Sequence, residues 1–196
     1  KNAFATAVAV LSVLGSALAG PLDPPVTYVL TDLGDLPGGS DWSAPSDINN
    51  SGVVVGASIG NNGAYRAFRW VNGAMDDLGG LPFSFDVAAN GLNDPGHVVG
   101  VTGLLPDTTA AFLWISGTMQ SLGGLPGGYD FSKANAINNV GQVVGSSHAH
   151  LEDGLPTRAF LWSNGTIQNL GALAGTTESW AMDINEAGHV VGHSGG

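Results

Sequence analysis

Cysteine is absent from the chain, and lysine and arginine together number five. The first absence removes disulfides and thiolate metal sites together. The second removes the basic stripe that a phosphate backbone needs, which excludes nucleic acid as a partner. Sixteen Asp and Glu leave a formal net charge of −11, so an anionic membrane surface is disfavoured for the same reason. Charged residues make up only 11% of the chain, while glycine accounts for 31 of its 196 residues. With Val, Trp and Phe spread evenly between the glycines, this composition suits many short strands joined by tight turns.

One unit is written nearly four times. Each copy reads L-G-x-L, an acidic residue, I/L-N-x-x-G-x-V-V-G, A-F-x-W, and a turn into the next L-G. The opening leucines are Leu33, Leu78, Leu122 and Leu170, so the steps are 45, 44 and 48 residues. Asn49, Asn93, Asn138 and Asn185 keep the same beat, as do Gly56, Gly100, Gly145 and Gly192. A period in this range is the mark of a repeat architecture.

Each unit divides into four extended segments, in the second copy about Val87–Asn93, His97–Thr102, Ala110–Ile115 and Thr118–Leu122. Asn-x-x-Gly turns join the first two segments, and Asn72-Gly73, Ser116-Gly117 and Asn164-Gly165 join the last two. Phe112 and Trp114 stand two apart and share a strand face; Ala111 and Leu113 share the other. A strand apolar on both faces belongs inside a stack of sheets, and Gly100 and its equivalents permit close approach there. The sequence therefore predicts an all-β fold, a β-propeller-like array of four-stranded antiparallel blades with repeats of about 45 residues. A β-solenoid is the alternative. Val26–Gly34 aligns as an outer strand lacking its first three partners, and the last unit carries only its first two segments. The expectation is an incomplete ring, a piece of a longer protein.

Lys1-Asn2, the apolar run Ala3–Leu18 and the exit Ala17-Leu18-Ala19 have the form of an export signal over residues 1–19. A retained membrane anchor is the alternative, although the run is slightly short to span a bilayer. A Pro-rich lead follows over residues 20–27, then a single repeat domain over 28–196. After signal removal no membrane insertion is expected, and the localisation expected is secreted, extracellular or cell-surface.

Asp77-Leu78-Gly79, Ile137 to Gly145 and Arg158-Ala159-Phe160-Leu161-Trp162 resemble the HAF family of bacterial extracellular repeats. That family is named for a His-Ala-Phe tripeptide, whose His position holds Arg66, Ala110 and Arg158 here. The resemblance covers about Leu30 to the end. It implies a secreted or surface-associated bacterial protein, and brings with it no activity, ligand or catalytic residue.

Chemistry is sparse. Eight residues after each opening leucine stands an acid, Asp41, Asp86, Asp130 or Glu178, with Trp42, Phe131 and Trp180 beside them. In a propeller these would lie on the face where the second-to-third loops open, and those loops differ between units. As a ring they could hold Ca²⁺ through oxygen ligands or accept hydrogen bonds from sugar hydroxyls while the aromatics stack on the ring. Capping of the turn into the inner strand and packing between blades are the plainer alternatives. Asp47 to Gly52 imitates half a calcium loop, but Ser58 stands where its twelfth-position Glu belongs. His148 and His150, with Glu152 and Asp153, form a weak candidate for Zn²⁺ or Ni²⁺. No nucleophile–base motif and no cofactor signature is legible. The expected function is a non-enzymatic, exported binding module for a glycan or another cell-envelope component. A secreted propeller-type polysaccharide hydrolase or lyase, and a purely structural surface repeat, are the alternatives.

Overall fold

In a computed structural model, the described residues are 9–14, 27–104, 108–149 and 154–196, with side chains from Tyr28 onward. They form sixteen strands and no helix. The strands are β1 (Ala9–Leu14), β2 (Thr27–Asp32), β3 (Ser43–Ile48), β4 (Val54–Ile59), β5 (Tyr65–Val71), β6 (Ala74–Asp77), β7 (Ser84–Leu92) and β8 (Val98–Leu104). They continue with β9 (Thr108–Ile115), β10 (Thr118–Ser121), β11 (Phe131–Ile137), β12 (Val143–His148), β13 (Arg158–Ser163), β14 (Thr166–Gly171), β15 (Glu178–Ile184) and β16 (Val190–Gly195).

Three antiparallel sheets, β3-β4-β5-β6, β7-β8-β9-β10 and β11-β12-β13-β14, are simple meanders, and each corresponds to one sequence repeat. The fourth unit contributes the two-stranded sheet β15-β16. This is a propeller-like array of blades; separate four-stranded meanders packed face to face are not the coils of a solenoid. Hairpin chemistry sets the strand ends. Asn72-Gly73, Ser116-Gly117 and Asn164-Gly165 all have φ between 48° and 91°, the left-handed pair that a two-residue hairpin requires.

Side-chain parity then builds the core between blades. Phe112 and Trp114 point back onto Val55 and Ala67 of the first unit and onto Leu78, which opens the second. Ala111 and Leu113 point forward onto Ala134, Ile137, Val143 and Phe160 of the third. The same alternation buries Val54 and Phe68 under Leu33 and Leu36, and Val144 and Ala159 against Ala181 and Ile184. A glycine at the middle of each second strand lets the inner hairpin bulge. A Cβ at Gly56, Gly100, Gly145 or Gly192 would lie 2.1, 2.0, 1.9 or 2.0 Å from the carbonyl oxygen of Ala44, Ala88, Lys133 or Trp180.

The amino-terminal region differs from expectation in one respect. The outer-strand-like segment is β2, and its partner is β1, in register from Ala9↔Asp32 to Leu14↔Thr27. β1 lies within the segment expected as an export signal; the rest of residues 1–19 and nearly all of the Pro-rich lead fall outside the described residues. Among the described residues no helix is long and apolar enough to cross a membrane.

Candidate functional site

The blades present two unlike ends. At the tight-turn pole, each Asn-x-x-Gly asparagine ties its own turn, and Asn49, Asn93 and Asn138 tie the next unit at once. The Oδ1 atoms of Asn49, Asn93, Asn138 and Asn185 accept the backbone N–H of Val53, His97, Gln142 and His189 at 3.0, 2.8, 2.9 and 2.9 Å. The amides then reach across the blades: Asn49 Nδ2 donates to the Asn93 carbonyl (3.1 Å), Asn93 Nδ2 to that of Asn138 (3.0 Å) and Asn138 Nδ2 to that of Asn185 (3.1 Å). Asn90 and Asn135 repeat the device one layer up, donating to Ala134 and Ala181 carbonyls at 2.7 Å.

The residues that follow form a second circuit. Asp94 accepts from Asn50 through its N–H (3.0 Å) and side chain (2.8 Å), and from the Asn139 amide (3.0 Å). Those donors hold its carboxyl below the ordinary carboxylate range. Asn139 N–H in turn meets the Glu186 carboxylate (3.0 Å to Oε2). Ile48, Asp94, Asn139 and Glu186, one from each unit, border a single depression of about 270 Å³, so the four inner hairpins curve about a common axis. Asp47 sits beside it, pushed above the usual range by burial, against which the N–H groups of Leu92 and Ile48 act; the like charge of Asp183 adds a lesser push. Every amide here has a protein partner, which makes this pole a structural seam. The sequence showed the asparagine of each turn; it did not show that the other half of each amide belongs to the next blade.

At the opposite rim, where the second-to-third loops open, the sequence candidates are partly dispersed. Counted back from the turn asparagine, Asp41 and Asp130 lie eight residues away, whereas Asp86 and Glu178 lie seven. Loops of different length therefore place two of the acids inside the inner strand and two just before it. Asp86 accepts the Tyr65 N–H from the preceding unit (2.8 Å), an interblade bond and not a cap of its own turn. Among the described residues no three acids or histidines gather as a metal-holding group, so the proposed Ca²⁺ circle is not assembled. His148 stacks on Phe131 (centroids 4.7 Å, 9° between planes), and its desolvation lowers its pKa. His150 lies outside the described residues.

The aromatics do come to the rim. Trp42 meets Tyr65 edge-on at 5.3 Å, and Trp180 stacks on His193 at 4.6 Å. Two further rings were missed by the sequence reading. Phe85 lies over Gly103, where a Cβ would come within 2.7 Å of the ring. Phe83 is 82% exposed and has φ of 66°. It stands in Leu81-Pro82-Phe83, where the sister units read Leu36-Pro37-Gly38 and Leu125-Pro126-Gly127 with φ of 80° and 100°. The signal was present in that alignment: one unit alone replaces a glycine by a phenylalanine. Beneath the rim, Ser58, Ser147 and Ser194 hydroxyls clip the incoming loops, accepting the N–H of Leu36, Leu125 and Leu173 at 3.1, 3.2 and 3.2 Å. The rim is thus a rigid base carrying unlike side chains.

No protein-family model matches the chain, and no curated protein matches it either. Among solved structures it is similar to XC5397 of Xanthomonas campestris, a gluconolactonase, at 16% identity with a TM-score of 0.45. The match covers 86% of this chain and 59% of that protein, so the chain spans less than two thirds of its length.

Proposed function

We propose that the chain is an exported, non-enzymatic binding module whose loop rim takes a neutral glycan of the cell envelope or its surroundings. The observation that carries this is Phe83. A non-glycine residue in the left-handed region costs about 1–2 kcal/mol, and an exposed ring regains none of it by burial. Its sister units show that glycine satisfies the turn. A large apolar ring held at a strained position and aimed at solvent has a use outside the fold, and flat rings beside carboxylates and hydroxyls suit the apolar faces and hydroxyl groups of sugars. Asp41, Asp86, Asp130 and Glu178 give the rim an acidic bias, which favours neutral over anionic polymers.

Phe83→Gly tests the reading. The variant should be more stable by about 1 kcal/mol and should lose at least about tenfold in affinity for neutral oligosaccharides followed by tryptophan fluorescence or calorimetry. A variant more stable and equally good at binding, or a wild type that binds nothing across a glycan panel, removes the reading. Reducing ends released from a polysaccharide would instead favour the hydrolase or lyase alternative.

A further inference from the structure

Four asparagines are followed by glycine: Asn62, Asn72, Asn90 and Asn164. In this pairing a peptide nitrogen most readily attacks the preceding side chain, because glycine sets no Cβ in the way. The glycine nitrogen bonds to the asparagine Cγ, the Cγ–Nδ2 bond breaks, and ammonia leaves a five-membered imide behind. Water then opens the imide at either carbonyl, giving aspartate or isoaspartate. Water is the sole co-reactant, so the fold decides which of the four reacts.

Ring closure must turn the asparagine ψ to about −120°, the value at the first central residue of a II′ turn. Asn72 and Asn164 hold that place in their hairpins with φ of 50° and 49°. There a I′ turn sets ψ to about +30°, and the next nitrogen points away from Cβ. Swinging it round makes a II′ turn, which takes glycine at that position. The strand pairs Val71↔Ala74 and Ser163↔Thr166 clamp both flanks. Asn90 is barred differently. It is half-buried in β7, its Nδ2 donates to the Ala134 carbonyl at 2.7 Å, and a Cβ on Gly91 would lie 3.0 Å from the Asn135 carbonyl oxygen. Losing that nitrogen as ammonia would cut a bond between blades.

Asn62 is under none of these restraints. It is exposed, lies outside the left-handed region, and sits in a turn closed by the Gly63 N–H to the Gly60 carbonyl (3.0 Å). The Ala64 N–H donates to its Oδ1 (3.2 Å). That donor stands where negative charge develops as the Gly63 nitrogen adds to Cγ, so it assists the attack. A depression of about 510 Å³ bordered by Asn61, Asn62 and Arg66 admits water for the second step. We infer that Asn62 is the deamidation site of the folded chain, converting to aspartate and isoaspartate through an imide with Gly63. The product sets a new carboxylate near Arg66, whose Cγ flanks Gly60 together with Asn62 Oδ1 and whose Nε already donates to Asp77 (3.0 Å).

Peptide mapping by mass spectrometry, after incubation of the full chain in mildly alkaline buffer, tests this. Asn62 should lose its amide at least about tenfold faster than Asn72, Asn90 and Asn164, and isoaspartate should accompany aspartate. In denaturant, which frees all four, the rates should draw together to within about threefold. Asn62→Gln, at an exposed position, should keep the wild-type melting temperature and remove the early acidic species seen on ion exchange. Another of the four reacting as fast as Asn62 in the folded chain overturns the inference, as does a preference for Asn62 that persists in denaturant. Aspartate without isoaspartate, or an early acidic species that survives in Asn62→Gln, overturns it equally.

Discussion

At the tight-turn pole, Asn49, Asn93, Asn138 and Asn185 hold one position and make the same bonds to their own turns. Seven residues earlier in each inner strand, at the loop rim, the equivalent position is Trp42, Asp86, Phe131 or Glu178. The strand between them is the same strand. What changes is the demand made on the side chain: at the pole it must satisfy two buried peptide groups, one of them in another blade, and only an amide offers an acceptor and a donor together in that span. At the rim the backbone is held whatever the side chain, the carbonyls of Trp42, Phe131 and Glu178 accepting from the Ser58, Ser147 and Ser194 hydroxyls, so the rim side chains are free to differ. Uniform chemistry marks where the molecule is held together; divergent chemistry marks where the fold leaves the side chain free.

That contrast should break most violently at the glycine which lets the inner hairpin bulge. Gly100→Ala would place a Cβ 2.0 Å from the Ala88 carbonyl oxygen and 2.9 Å from the Phe112 ring, with backbone on one side and a fully buried ring on the other. Neither can retreat without opening the blade interface. The expected result is loss of cooperative thermal unfolding, read by circular dichroism.

The ladder itself comes next. Asn138→Ala removes an acceptor for Gln142 N–H and donors to Asn185 O and Gln142 Oε1 at a residue 1% exposed. With each hydrogen bond contributing about 1 kcal/mol and the stranded groups costing more, a loss of about 2–4 kcal/mol is expected from denaturant melts. Asp41→Ala at the rim should change stability by less than about 0.5 kcal/mol. Equal effects at the two sites would abolish the distinction between pole and rim. A chelator should leave the melting temperature unchanged, because no three carboxylates converge among the described residues.

Much of this was legible beforehand, and for physical reasons. Hairpin turns are local: Asn72-Gly73 and Ser116-Gly117 announce themselves because two consecutive positive φ angles restrict the residues that fit. Parity is local too, so Phe112 and Trp114 could be assigned one face and Ala111 and Leu113 the other before any coordinates. The rim acids were harder. Counting from the opening leucine ignores loops such as Leu36 to Ser43 and Leu173 to Ser179, whose lengths differ by a residue, and in a strand one residue reverses the face. The amide ladder was hidden for a different reason. Its bonds join residues 44 to 47 apart, and nothing in an Asn-x-x-Gly turn says which way the spare Nδ2 points until the next blade is in place.

The finest test sets two carboxylates of the same pole against each other. Asp94 has a depressed folded-state pKa because Asn50 and Asn139 donate to its charged form. Its contribution is therefore present above the ordinary carboxylate pKa and is lost as pH falls through the lower folded value. Asp47 has the opposite shift, raised chiefly by burial. Its charged form penalises the folded state near neutrality, and that penalty lifts as pH falls through the raised folded value towards the ordinary one. The two windows do not overlap, so on acidification the gain at Asp47 precedes the loss at Asp94. Melting temperatures of Asp47→Asn and Asp94→Asn should accordingly diverge from wild type in opposite directions: the first variant lacks the mildly acidic gain, and the second lacks the later, more acidic loss. Both effects are small, since Asp94 is exposed and Asp47 keeps two backbone donors. Identical pH profiles for the two variants would mean that hydrogen bonding and burial at this pole do not act separately on its two acids.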